Sequence, residues 1–253
     1  MSSPLSRRKL MTAGLTAAGG AAGLGVAAKI ANRYGLIPPD WGGVWGPGET
    51  LTYAAQRILT SHHSMAREFN RSEISKVAPV SGDPPQKDSY LRLAAGEFAD
   101  WKLAVDGLVA RPGSFSLAQL KGFPSGTQIT EHTCEEGWSF VAEWTGVPFS
   151  YVMNLVGVLP QARYAVFFPF DEAWDSVDMQ DAWHPQTLLA YAMNGEELPD
   201  EHGAPLRLKI PRQLGYKSVK YLTRITLTDT LKNIGKGLGS SAPEAGYSWY
   251  AGI

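Results

Sequence analysis

Ile129-Thr130-Glu131-His132-Thr133-Cys134-Glu135-Glu136-Gly137-Trp138-Ser139 holds the one cysteine of a 253-residue chain. Gln128-Ile129-Thr130 has the β-branched character of a strand. Glu135-Glu136-Gly137 reads as a turn, after which the apolar Trp138, Phe140 and Val141 resume. If the strand persists to the cysteine, a period of two sets Thr130, His132 and Cys134 on one face. The sulfur then leaves a rigid element on a tight turn, near a surface or cleft. A free cysteine is most often a small buried hydrophobe. A lone cysteine with histidines elsewhere is also a candidate nucleophile or soft metal ligand. This stretch leaves both readings open.

Upstream, Trp101 to Val109 alternates as a strand and turns at Arg111-Pro112-Gly113. A short helix follows, capped by Ser116. Apolar spacing at Leu51, Ala54, Ala55, Ile58 and Leu59 predicts a helix over Leu51 to Met65. His62-His63 near its end are adjacent and do not share a face, so they read as a solvated helix end. Residues 38–50 are rich in breakers and read as a linker whose two tryptophans could dock on the body. Residues 67–74 read as a polar stretch around one buried Phe69, and 78–90 as a loop.

Downstream, Trp144 to Pro148 reads as a turn, Phe149 to Leu155 as a short helix and Ala165 to Phe168 as a buried strand. The acids Asp171, Asp175, Asp178 and Asp181 are too irregular for a calcium loop, and 171–181 is expected to be a loop. Gln186 to Met193 is helical or extended and ends on an Asn194-Gly195 turn. Leu206, Leu208 and Ile210 alternate with Arg207 and Lys209, the pattern of a half-buried strand. Tyr221 to Leu227 is another strand, and the aromatic tail 246–253 is expected to pack on the body.

The charges are unevenly placed. Five of the 23 basic residues and none of the 24 acidic ones fall in residues 1–39, leaving a remainder acidic by about six charges. An acidic body argues against a nucleic-acid partner. Arg7-Arg8-Lys9 followed by the Ala/Gly/Leu-rich run Thr12 to Ala28 has the layout of a twin-arginine export leader. We therefore expect a signal or anchor over 1–33, a linker and helix over 34–66, and a catalytic domain over 67–253. The expected location is the periplasm, with an uncleaved leader as a possible membrane anchor. One thiol cannot form an internal disulfide, which suits export.

Two segments complement the cysteine. His202 and Arg207 follow a glycine turn, and Ser218, Val219 and Lys220 sit in a glycine-led loop with backbone N–H groups and an ammonium. Such donors suit a phosphate. Together they suggest one soft metal ligand beside a phosphorylated organic cofactor.

The ordered motifs at Trp101–Leu108, His132–Ser139, Asp175–Asn194 and His202–Lys220 resemble the sulfite oxidase family of molybdopterin oxidoreductases. That family includes periplasmic methionine-sulfoxide reductases, and the likeness runs from about Phe69 to the C-terminus. It implies an α+β fold of mixed β-sheets with short helices and Mo-molybdopterin as cofactor. It also implies that Cys134 gives its thiolate to molybdenum, beside the pterin dithiolene. The implied contacts to the pterin pyrophosphate are Asn70, Asp171, His202, Arg207, Ser218, Val219 and Lys220.

The chain departs from the family pattern in several places. Glu68-Phe69 stand before Asn70 where sulfite oxidases proper have an arginine. His202 replaces an asparagine of the sulfoxide reductases, and Pro169 lies near an expected threonine. The family's extra C-terminal immunoglobulin-like domain and haem domain are not expected here.

The implied activity is oxo transfer on a small sulfur- or nitrogen-containing oxide or oxyanion. Reduction of oxidised methionine is the alternative within the family. A cysteine hydrolase using Cys134 with His132 or His184, and a non-catalytic binding module, are the alternatives outside it. The sequence has no cysteine pair or Cys-x-x-Cys-His and no nucleotide fingerprint. Electrons are thus expected to pass between a small-molecule substrate and an external carrier, a cytochrome or a membrane haem protein.

Overall fold

The computed structural model describes residues 31, 35–59, 64–171 and 173–253. The expected export segment and His62-His63 lie outside them. The alternating residues 102–107 form β1 (Lys102–Gly107), and the turn at 111–113 leads into β2 (Gly113–Ser116). Their sheet is completed by β5 (Tyr164–Pro169), β6 (Asp175–Asp178) and β10 (Leu222–Thr228), in the order β2-β1-β10-β5-β6. Only β1 and β10 run parallel in it.

The second sheet holds β3 (Gly126–Thr133), β4 (Ser139–Pro148), β7 (Leu188–Met193) and β8 (Glu196–Glu197), all antiparallel. The short β9 (Arg207–Lys209) pairs with β7. Helices are few and short: α1 (Gly46–Leu59), α2 (Asp88–Ala95), α3 (Leu117–Lys121), α4 (Phe149–Val156), α5 (Met179–Ala182) and α6 (Ser241–Glu244). This is the α+β arrangement of mixed sheets that the motifs implied. At α3 the Ser116 hydroxyl accepts the Gln119 N–H, as the capping pattern predicted.

One apolar cluster draws on both sheets. Leu103, Phe167 and Ile225 come from the first, Val147, Leu189 and Leu208 from the second, and Val152 and Met153 from α4. Burial of such side chains is the main stabilising term, about 1.5–3 kcal/mol for each large one.

The structure corrects four local readings. Trp144 to Pro148 is the second half of the ten-residue β4, not a turn. Gly146 serves there as the point where β7 passes closest, since a Cβ would stand 2.2 Å from the Leu189 carbonyl oxygen. A register shift falls between Thr145 and Gly146. Residues 171–181 are not a loop: they contain β6 and α5, because Asp175, Asp178 and Asp181 turn inward onto cations while Asp171 stays exposed. Lys217 donates to Asp175, while Arg57 pairs with Asp178 at 2.8 Å and Asp181 at 2.5 Å.

Residues 206–210 are buried on both sides of β9, so Arg207 and Lys209 have no solvent face. The proposed linker 38–50 already starts α1 at Gly46. Of its tryptophans, Trp45 docks through its indole N–H on the Gly246 carbonyl at 2.8 Å while its ring stays largely exposed, and Asp40 and Glu49 dock as well. Asp40 accepts the Trp249 N–H and Glu49 the Tyr250 N–H, which ties this segment to the packed aromatic tail.

Candidate functional site

Along β3 the side chains of Gln128, Thr130 and His132 are buried while Glu131 faces water. The expected alternation therefore holds, and Cys134 continues it one residue beyond the strand. The turn forms when the Gly137 N–H donates to the Cys134 carbonyl at 3.1 Å, and Gly137 adopts φ 92°. The Cys134 N–H donates to the Trp138 carbonyl at 2.9 Å, closing the loop back onto β4. The thiol is thus held at the end of a two-strand ladder, inside a cavity of about 260 Å³.

Seven of the eight expected site residues line that cavity: Cys134, Asp171, His202, Arg207, Ser218, Val219 and Lys220. They come from the β3–β4 turn, the loop after β5, the segment before β9, β9 itself, and the loop before β10. Asn70 is not among them. It is exposed, with its N–H and its side-chain Nδ2 donating to Glu73 at 2.8 and 3.0 Å at the start of the turn 71–73.

The cations of the cavity, Arg207 buried and Lys220 half-buried, are held by backbone. Arg207, 3% exposed, donates to the carbonyls of His202 at 2.8 Å and Ser218 at 3.0 Å. Lys220 donates to the carbonyls of Ser81 and Glu201. Behind them Lys209, 1% exposed, donates to the Glu131 carbonyl. None of the three forms an ion pair with a carboxylate among the described residues.

The consequence appears in every titrating group nearby. Burial and then the Arg207 charge push Lys220 down to about 8 and His202 down to about 4. Burial, then Lys209 and Arg207, holds His132 well below the usual imidazole range. Burial lowers Arg207 itself to about 10. Clustered cations that no carboxylate pairs directly are costly unless an anion joins them.

The backbone N–H groups of Val219 and Lys220 donate to no carbonyl among the described residues. The Tyr221 hydroxyl lines the same cavity, buried and without a partner. The set fits a large anionic group bearing phosphates. The Ser218 N–H, by contrast, is taken by the Gly215 carbonyl, and its hydroxyl accepts from Ile210. Ser218 therefore shapes the loop.

The surroundings of Cys134 differ in sign. Its S–H donates to Glu135 at 3.4 Å, and burial together with Glu135 pushes the thiol up to about 11. That is the reverse of an activated nucleophile. His184 binds the Ser64 carbonyl and accepts the Gln186 N–H, away from the thiol. A thiol pushed that high does not suit the hydrolase reading, although His132 lines the same cavity. Such a thiol becomes a thiolate on binding a metal, which displaces its proton.

Sequence reading missed two contributors. Alternation in 206–210 predicts a solvent-facing Lys209, because strand period cannot show that both faces are covered. Tyr221 adopts φ 57°, unusual for a bulky residue, and nothing in the sequence marks it.

The profile of the family described as "Oxidoreductase molybdopterin binding domain" matches residues 91–233. A protein of Azospira oryzae, named provisionally as a protein-methionine-sulfoxide reductase subunit, is 37% identical over 61% of this chain and 56% of its own length. The protein-methionine-sulfoxide reductase catalytic subunit MsrP of Xanthomonas axonopodis pv. citri is 33% identical over 59% of this chain and 50% of its own. The chain thus spans about half the length of the curated relatives it matches. Among solved structures, the sulfane dehydrogenase SoxCD from Paracoccus pantotrophus superposes with a TM-score of 0.50. It is 28% identical and covers 52% of this chain and 39% of that one. With the cation cradle facing one buried cysteine on a sulfite-oxidase-type fold, and more than half of the residues inside the matching profile, the chain belongs to the family of oxidoreductase molybdopterin-binding domains.

Proposed function

We propose that the protein reduces sulfoxides, with oxidised methionine as the substrate, using molybdenum bound through molybdopterin. Arg207, Lys220 and the Val219 and Lys220 amides hold the pyrophosphate of the cofactor, with His202 beside them. Cys134 supplies a protein sulfur to the metal. When bound, the metal supplies two-electron oxo-transfer chemistry. The overall reaction takes a sulfoxide, two electrons and two protons to a thioether and water.

One observation carries the choice of substrate. Glu135 stands against the Cys134 thiol, and the uncharged Trp138, Trp174 and Tyr216 line the same cavity. With the cofactor phosphates taking up Arg207 and Lys220, this acidic, aromatic end would disfavour sulfite and accept a neutral sulfoxide with its methyl group. The names of the relatives from Azospira and Xanthomonas agree with this reading.

The two electrons come from an external carrier, a cytochrome or a membrane haem protein. The proposed setting is the periplasm, reached by twin-arginine export. The test is a dye-linked assay of molybdenum-loaded protein, comparing methionine sulfoxide reduction with sulfite oxidation. Sulfoxide reduction is expected to dominate by kcat/KM. A preference for sulfite would overturn the proposal.

A further inference from the structure

Helix α1 is amphipathic in reverse. Gly46, Glu49 and Tyr53 form its inward face. Arg57 is also turned in, its side chain 4% exposed where it meets Asp178 and Asp181. Both charged residues of the helix are therefore consumed by the body. The outward stripe at i, i+4, i+7 and i+8 is Leu51, Ala55, Ile58 and Leu59, with Leu51 72%, Ile58 67% and Leu59 83% exposed. An ordinary surface helix shows water its charges and hides such a stripe.

The apolar surface continues beyond the helix. Trp41, Val44 and Trp45 are exposed just before it, and Met65 after it. A groove of about 420 Å³ beside Ala55, Leu59 and Met65 is lined further by the exposed Ile253 and by the buried Arg212. Isolated surface leucines need no account, but several exposed large apolar residues on one element and its flanks mark an interaction site.

We infer that α1 and the turn before it form a membrane-docking face that lies in the interfacial layer of a lipid bilayer. Three features point to lipid as the occupant. The exposed face of α1 carries no charged group with which a protein partner could set register. Trp41 and Trp45 just before the helix keep their rings exposed, although the Trp45 indole N–H donates to the Gly246 carbonyl, and tryptophan is the residue that settles at the headgroup level of membranes. The apolar run of residues 12–28 lies twelve residues before Trp41. Wherever that run meets a bilayer, the connection can span no more than about 40 Å. No helix among the described residues is long and apolar enough to cross a membrane, so the contact is one of lying on the surface.

The test uses the full chain with and without vesicles of phosphatidylcholine and phosphatidylglycerol. Flotation alone does not decide, because residues 1–33 can hold the chain on a vesicle by themselves. Amide hydrogen exchange over 46–59 does. We expect vesicles to slow it by about tenfold in the wild type and not in the Leu51→Glu/Ile58→Glu/Leu59→Glu variant. As an independent measurement, brominated lipid should quench the tryptophan fluorescence of wild type more than that of Trp41→Phe/Trp45→Phe.

Unchanged exchange on vesicles overturns the inference. So does protection that arises without lipid as the chain self-associates, or only when a haem protein is added. Equal quenching in the two tryptophan forms overturns it as well.

Discussion

The ammonium of Lys209 donates to the backbone carbonyl of Glu131 at 2.8 Å. This bond joins the strand that carries Arg207 to the strand that leads into Cys134, so one side chain ties the cation cluster to the cysteine turn. The same Lys209 and Arg207 lie 5.4 and 5.0 Å from the centre of the Trp144 ring. Cation–π contact lowers the cost of burying them but does not neutralise them.

The first prediction follows from that imbalance. Burial, and then the Arg207 charge, lowers Lys209 well below its usual range. Lys209→Met removes a buried charge and should stabilise the cofactor-free protein by about 1 kcal/mol in urea unfolding. It should also reduce bound molybdenum and pterin, because the cradle loses part of its field and its tie to β3. Opposite signs for stability and cofactor content are the expected outcome. A cofactor-free protein destabilised by Lys209→Met, with full cofactor content, would show that the lysine serves the fold alone.

The second prediction concerns the thiol before metal arrives. With Cys134 pushed up to about 11 by burial and by Glu135, little thiolate exists at neutral pH. Cofactor-free protein should react with iodoacetamide at pH 8 roughly a hundredfold more slowly than a free cysteine. The rate should climb with pH toward about 11. Glu135→Gln should move that profile to lower pH and speed alkylation several-fold. Identical pH profiles for the two proteins would remove Glu135 as a cause.

The parts of the site that could be read from sequence are those where one residue type has few uses. A single cysteine after a strand, and Arg207 and Lys220 near glycine turns, announce themselves by chemistry. Strand period correctly gave the face shared by Thr130, His132 and Cys134. It failed at β9, where Arg207 and Lys209 alternate with leucines and yet both faces are covered. The failure at 171–181 has the same origin. Five acids in eleven residues read as solvated until Lys217, 42 positions from Asp175, and Arg57 are seen to meet three of them. Long-range partners of buried charges leave no local signal. The strand in place of a turn at Trp144 to Pro148 is a further case, since Gly146 and Pro148 are turn residues unless β7 lies alongside.

The third prediction is a pH dependence of the clasp between α1 and the tail. Asp40 and Glu49 each bind one tail N–H, and the other oxygen of each, Oδ1 and Oε2, is buried with no donor. Burial, and then sharing a hydrogen bond with Glu49, pushes Asp40 up to about 8. An acid raised on folding is bound to more protons in the folded state. Its stabilising contribution is complete below the usual aspartate range near pH 4 and is lost as pH rises through about 8. The slope from this group is at most about 1.4 kcal/mol per pH unit. Asp40→Asn keeps a donor for Glu49 at every pH, so its stability relative to wild type should rise from pH 5 to about pH 8 and level off above it. A difference that stays constant across that range would mean that no proton is shared.

The last prediction turns on a contact between a loop and the cysteine strand. Gly215 lies so close to β3 that a Cβ there would stand 2.8 Å from His132 Nε2 and 3.2 Å from the Thr133 carbonyl oxygen. The imidazole cannot retreat freely, because its ring is packed 5.2 Å from Phe140 and 6.2 Å from both Trp138 and Trp144. Gly215→Ala must therefore move either the ring toward the cavity or the loop that leads to Ser218, Val219 and Lys220. Overpacking of this kind costs about 1–3 kcal/mol. The sheets lie on other contacts, so the far-ultraviolet circular dichroism should stay unchanged while cofactor content falls several-fold. A second substitution, His132→Ala, vacates the ring and should restore cofactor content in Gly215→Ala if the ring is what moved. Failure of that rescue, with the fold intact, would assign the damage to the Ser218–Lys220 loop, and full cofactor content in Gly215→Ala itself would show that the close approach has no bearing on the site.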